Sequence, residues 1–219
     1  MAKTPSALPA SPRDWSAKDV DELRAVWADL RPESDDAETE RRFFGRTLTA
    51  EESDVFERWL MEAFRLSGAT GQPAFQVPMA ESRQTREQLD GLIVDGGQTY
   101  LVEAKFWPGK VDFGPIALLH ALIGFRPGGT MGLLFSPFDY TRPALESAGM
   151  LRPIAVLLFD REGLAWALPP KNVTKQKATR AFQGRMIEMV RRKRFLANRD
   201  GVANLYVGSP IELFNAQGS

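Results

Sequence analysis

Within the run Gln88 to Trp107, three ionisable side chains stand at spacings that could do chemistry: Asp90, Glu103 and Lys105. Residues 98–106 are β-type, and side chains alternate along a strand, so Glu103 and Lys105 project from one face while Val102, Ala104 and Phe106 take the other. Gly96-Gly97 reads as a two-residue hairpin turn, which pairs Asp95 with Gln98 and, counting back, sets Asp90 directly opposite Glu103. Two carboxylates so placed have Cβ atoms ~5 Å apart and repel each other. A divalent cation between them turns that repulsion into coordination, and oxygen-only ligands point to magnesium, with manganese as a substitute. Lys105, further along the same face, would stand beside the metal and stabilise developing negative charge. A metal to activate water and a cation at the reacting oxygens are what hydrolysis of a phosphodiester requires. An acidic-x-Lys triplet is expected about once by chance in a chain of this size. Its weight comes from context: it ends a β-type run, and an aspartate faces it across a turn.

The elements that must hold this hairpin are legible as periodicities. Ser16 is placed to cap a helix with Val20, Leu23, Val26, Trp27 and Leu30 on one face, ended by Arg31-Pro32. Thr49 with Glu52 three residues on forms a capping box, opening a second helix with Val55, Phe56, Trp59, Leu60, Ala63, Phe64 and Leu66, which stops near Gly68. After Gly71 the period changes toward two, with β-type runs at 74–78, 88–94 and 98–106. Gly114-Pro115 starts a short apolar helix reaching about Phe125. Met131 to Phe135 and Ile154 to Phe159 read as buried strands, Thr141 to Ala148 as a helix, and Leu164 to Leu168 as a shorter strand. A long basic helix over 173–198 and a strand-like piece near Asn204–Val207 follow. Strands succeeded by strands alternating with helices define an α/β chain with a mixed central sheet flanked by helices. The expected division is 1–48, a disordered arm plus acidic helical extension; 49–170, the core; and 171–219, the basic C-terminal helix and terminal strand.

Composition narrows the chemistry. The 219 residues contain no Cys and one His, which excludes disulfides, thiolate–zinc sites, a Cys nucleophile and multi-histidine metal sites. The beginning of the chain lacks the apolar core of a signal peptide and no run approaches the ~18 apolar residues of a membrane span, so a cytoplasmic protein without membrane attachment is expected. The net charge is zero, yet residues 1–62 carry 15 acidic and 9 basic side chains while 171–199 carry 10 basic and one acidic. Opposite-signed ends fit a basic face for a polyanion, or an intramolecular or dimer contact.

Phe56-Glu57 on a helix, then Gly71, then Leu89-Asp90-Gly91-Leu92, then Val102-Glu103-Ala104-Lys105, resembles the PD-(D/E)XK nuclease superfamily. Gly132-Leu-Leu-Phe-Ser-Pro-Phe-Asp-Tyr-Thr-Arg-Pro-Ala-Leu-Glu-Ser-Ala148 is similar to the strand–loop–helix of Mrr-type restriction endonucleases. The resemblance covers roughly Phe56 to Leu168. It implies the restriction-endonuclease-like αβββαβ core, magnesium dependence and DNA cleavage, plausibly in restriction or anti-phage defence. By position it makes Asp90 and Glu103 metal ligands, Lys105 the catalytic lysine, and Glu57 the helix carboxylate near a second metal or ordering the site. The chain departs from the Mrr pattern in two places: residues 111–125 contain no Gln, and residues 1–48 are short and acidic where many such proteins carry a winged helix. Two rivals stand beside this reading: an RNA or structure-specific nuclease on the same fold, and an inactive nuclease-like module binding nucleic acid or a protein partner.

Arg180, Arg185, Arg191, Arg192, Lys193 and Arg194 lie beside a stripe of Phe182, Met186, Met189 and Val190, so one side of this helix can pack while another tracks DNA phosphates. Cutting both strands with one site per chain calls for a homodimer or higher oligomer. His120, in the apolar run Leu118–Leu122, reads as a core or interface histidine. Trp107-Pro108-Gly109-Lys110 follows the carboxylate strand and is placed to border a substrate groove.

Overall fold

A computed structural model describes residues 9, 11, 14–30, 49–79, 82–151, 153–169 and 174–200, with the backbone alone for 76–79, 82–87 and 199–200. Residues 31–48 of the acidic extension and the piece near Asn204–Val207 lie outside these residues, as does most of the N-terminal arm. The elements are α1 (Val20–Leu30), α2 (Ala50–Leu66), β1 (Thr70–Met79), β2 (Ser82–Asp95), β3 (Gln98–Ala104), α3 (Phe113–Gly124), β4 (Met131–Phe135), α4 (Arg142–Met150), β5 (Val156–Phe159), α5 (Arg161–Ala167), α6 (Lys175–Phe182) and α7 (Arg185–Asp200).

The five strands form one mixed sheet in the order β1-β2-β3-β4-β5. β1, β2 and β3 are antiparallel neighbours, whereas β3, β4 and β5 run parallel. The parallel pairs need crossovers, and α3 and α4 supply them. The order α2-β1-β2-β3-α3-β4 is that of an αβββαβ core, and the mixed sheet flanked by helices is consistent with the restriction-endonuclease-like fold. Both faces of the sheet are covered. Val102, Ala104, Leu133 and Phe135 pack with α1, α2 and α7, and Leu101, Leu134, Val156 and Leu158 pack with α3 and α4. β4 and β5, covered on both sides, are accordingly continuous apolar runs.

Thr49 opens α2 as the capping box requires: its Oγ1 accepts from the N–H of Glu52 at 3.2 Å, and Glu52 Oε2 accepts from the N–H of Thr49 at 2.9 Å. The N-cap of α1 is Asp19 rather than Ser16, because Asp19 Oδ1 accepts from the N–H of both Asp21 and Glu22 at 3.0 Å. Ser16 instead donates its hydroxyl to buried Glu62 on α2. Glu62 also accepts from the N–H of Ala17 and pairs with Arg58 and Arg65, which ties the segment before α1 to α2.

Two expectations give way. The segment expected as a strand at Leu164–Leu168 belongs to helix α5, because Asp160 Oδ1 accepts from the N–H of Gly163 at 2.7 Å and starts a helical turn. Leu164 and Ala167, three apart, are then its buried face. The basic helix expected over 173–198 is two helices. Gly184, at φ +75°, breaks it, and its N–H donates to Ser67 O at 2.7 Å. The stripe Phe182, Met186, Met189 and Val190 is buried on both sides of the break, as a packing face should be.

Candidate active site

The β2–β3 hairpin has the register that Gly96-Gly97 predicts. Asp95 pairs with Gln98, and the ladder continues to Gly91 opposite Val102. Both turn glycines have positive φ, +55° and +82°, the requirement of the turn that matches strand twist. Past Gly91 the backbone ladder stops. The Asp90 carboxylate takes over, its Oδ2 accepting from the N–H of Ala104 at 2.9 Å. This bond holds the aspartate against the end of β3, whose next backbone N–H, that of Lys105, donates to Phe135 O on β4 at 2.8 Å.

Lys105 Nζ lies 2.5 Å from Glu103 Oε1, and both side chains are about four-fifths buried, at 20% and 17% exposure. The i, i+2 spacing thus does place the pair on one face. Asp90 is 8% exposed. Burial, and then the charge of Glu103, push its carboxyl up to about 6, against the N–H of Ala104 and the charge of Lys105, which act the other way. Glu57, on α2, joins the same electrostatic cluster. Burial first, then Asp90, Asp54 and Glu103, raise its carboxyl to about 8, with Lys105 opposing. Electrostatic interaction therefore links Glu57 on α2 with Asp90, Glu103 and Lys105 of the β2–β3 hairpin and its exit.

Packing explains why α2 delivers Glu57 here. Met61, one turn after Glu57, lies against β2 where Gly91 stands, and a Cβ on Gly91 would come within 2.3 Å of Met61 Sδ. A Cβ on Gly71 of β1 would likewise meet Met61 Cε at 3.2 Å. Glycine at these positions lets the helix come down onto the strands beside Asp90. A second clamp is aromatic: Phe56, next to Glu57, meets Phe106, next to Lys105, with ring centroids 5.3 Å apart. Gly91, Gly71 and Phe56 belong to the resemblance motif, whereas their partners Met61 and Phe106 do not. Asp54, three residues before Glu57 on the same helix, was also not anticipated; the i, i+3 acidic spacing is its signature.

For a divalent cation, the chemistry of the donor set fits. Asp90 and Glu103 are carboxylates that repel each other in a largely buried place, and Asp90 commits only one oxygen to Ala104. Among the described residues no group of three or more His, Cys, Asp or Glu is arranged to hold a metal. A hard cation here would draw on these two carboxylates and complete its shell with water and substrate oxygens, as magnesium commonly does.

The C-terminal cations are spread over other contacts. Arg191 makes a bidentate pair with Asp95 at 2.7 and 2.6 Å, at the hairpin-turn end of β2. Arg185 stacks 3.8 Å from the Trp166 ring centroid, and Arg192 lies 4.8 Å from the same ring and pairs with Glu188. Arg194 Nη1 reaches Tyr100 OH at 3.4 Å, Lys193 sits where burial lowers its ammonium pKa, and Arg180 is exposed. His120 Nε2 lies 3.2 Å from Pro153 O.

No protein-family model and no curated protein matches the chain. Two solved structures are similar to it. One is AF1548, a protein of unknown function, at 17% identity and a TM-score of 0.38, covering 57% of this chain and 64% of that one. The other is a repair endonuclease from Pyrococcus abyssi, at 18% identity and a TM-score of 0.25, covering 60% of this chain and 48% of that one. The chain spans less than two thirds of the length of either neighbour. Among the described residues no helix is long and apolar enough to cross a membrane.

Proposed function

We propose that the chain is a magnesium-dependent nuclease of the PD-(D/E)XK type, most like the Mrr group, that hydrolyses DNA phosphodiester bonds, with restriction or anti-phage defence as its setting. The observation that carries the reading is the meeting of Glu57, Asp90, Glu103 and Lys105 at the end of β3, with two carboxyls whose raised pKa values reflect like charges crowded out of water. Such crowding destabilises a fold, and it persists where a function needs it. Asp90 and Glu103 would hold the magnesium, or manganese in its place. The bound ion would supply a water of lowered pKa and neutralise phosphate charge. Lys105, steadied by Glu103, offers its ammonium to the phosphate oxygens as negative charge grows there during attack on phosphorus. Glu57, holding its proton near neutral pH in the metal-free protein, limits the negative charge that the cluster carries before substrate arrives.

Cleavage of plasmid, linear duplex, flapped and single-stranded DNA in magnesium and in EDTA tests this. The parent protein should cut with magnesium or manganese and stop with EDTA. Lys105→Ala should lose roughly 100-fold or more in rate, the size of effect of one transition-state donor, while still folding and keeping its magnesium-dependent rise in melting temperature, although it should melt lower in EDTA because Glu103 loses its cation. Cutting by Lys105→Ala at the parent rate overturns the assignment. Absence of cutting by the parent with either metal, on DNA and on RNA, assigns the chain to the binding-module class.

A further inference from the structure

The structure assigns Trp107 the role of a stacking platform for an unpaired DNA base next to the carboxylate–lysine cluster, so that the substrate is single-stranded DNA or a duplex with an unpaired end or flap. This rests on the nuclease reading for the identity of the site, and adds the substrate class. Trp107 is 44% exposed. Trp27 and Trp59 are buried in the core, and Trp166 is covered by two arginines. The exposure of Trp107 is built in. Phe106 is 2% exposed and wedged between Phe56 and Phe138, at 5.3 and 5.1 Å, which anchors the chain one residue earlier. The loop is pinned on both sides, by Lys105 N–H to Phe135 O at 2.8 Å and Val111 N–H to Asp139 O at 2.9 Å. Between these pins, exposed Trp107, Pro108 and Lys110 stand out from the sheet, with Gly109 at φ +122° closing the turn.

Lys105 Nζ lies 5.5 Å from the Trp107 ring centroid, so the ring stands beside the group that would meet the scissile phosphate. A flat, apolar, pre-positioned ring beside a phosphate-binding cation matches one nucleotide: base on the ring, phosphate on the lysine. Bases inside a duplex have their faces covered by their neighbours, so a ring of this kind selects bases that are out of the stack.

The test is binding by fluorescence anisotropy in EDTA, where cleavage cannot contribute. The probes are a short labelled oligothymidylate, an abasic strand of the same length, and a duplex. Trp107→Ala should weaken oligothymidylate binding by roughly 5- to 150-fold, the range for one stacked base, and Trp107→Phe should stay within roughly threefold of the parent. On the abasic strand the parent and Trp107→Ala should bind alike, because the phosphates remain and the stacking partner is gone. Unchanged oligothymidylate affinity in Trp107→Ala, or an equal loss on the abasic strand, overturns the platform. Stacking found in EDTA together with failure to cut in magnesium would sink the nuclease reading and leave the platform standing. Cutting by Trp107→Ala with an unaltered preference for single strands over duplex would sink the platform alone.

Discussion

Asp90 and Glu57 are acids whose folded-state pKa values, about 6 and about 8, lie above their ordinary 3.8 and 4.5. A raised acid contributes stability that is fully present below its ordinary pKa and is lost as pH rises through the folded value. The metal-free protein should therefore melt at progressively lower temperature between about pH 4 and pH 8, with Asp90 contributing up to about pH 6 and Glu57 across the window, alone in its upper half. Calorimetry in EDTA checks this, and Glu57→Gln should flatten the upper half of the curve. Asp90→Asn is a sharper probe, because the amide oxygen can still accept from Ala104 N–H while the charge facing Glu103 is gone. At pH 8 in EDTA this substitution should raise the melting temperature by roughly 2–6 °C and abolish the further rise on adding magnesium. A lower melting temperature for Asp90→Asn in EDTA would mean that the crowded carboxylate is not a burden on the fold.

At the scale of elements, the contact between α2 and the β1–β2 pair sets the site, and Gly91 is its thinnest point. Gly91→Ala forces a Cβ into Met61 Sδ, 2.3 Å away, and overpacking of this kind costs about 1–3 kcal/mol. Melting temperature and cleavage rate should fall together, since moving α2 also moves Glu57. Trimming the obstacle should compensate: the double variant Gly91→Ala, Met61→Ala should be less destabilised than the two single losses added, and strict additivity in thermal melts would contradict the close approach. The hairpin and its register were legible because Gly96-Gly97 is a local signal, complete within four residues. The capping box at Thr49 and Glu52 is local in the same way. The approach of α2 was not, because Met61 and Gly91 are 30 positions apart and nothing in either names the other. The α5 segment misleads for a related reason. Leu164-Ala-Trp-Ala-Leu168 is a short apolar run like the buried strands before it, and the Asp160 carboxylate on Gly163 N–H caps it as a helix. The break has a local signal in Gly184 itself, and is fixed from outside the segment by Ser67, whose carbonyl accepts from Gly184 N–H and whose Oγ accepts from Met186 N–H at 3.1 Å.

Over the whole molecule, the opposed charges of the two ends are partly spent on each other and on the sheet. Lys175 on α6 reaches Asp19, ahead of α1, at 2.5 Å, and Arg191 on α7 is held by Asp95 at the hairpin turn. Asp95 is five residues from Asp90, or ~17 Å along an extended strand, so α7 grips the end of the sheet opposite the carboxylate cluster. A cation already paired with a carboxylate releases few additional counterions when it meets a phosphate, whereas an exposed cation such as Arg180 or Lys177 releases nearly one. Replacing Arg191, Arg192 and Arg194 together with Gln should consequently lower the melting temperature and change the log–log salt slope of DNA binding by less than about 1, rather than the two to three expected of three free phosphate contacts. Replacing Arg180 and Lys177 with Gln should leave the melting temperature nearly unchanged and flatten that slope by up to about 0.9 each. Salt titrations by anisotropy in EDTA, run beside thermal melts of the same variants, separate the two effects. A slope that falls by two or more in the triple variant would mean that α7 lets go of Asp95, Glu188 and Tyr100 to take hold of DNA, making this helix a grip that forms on binding.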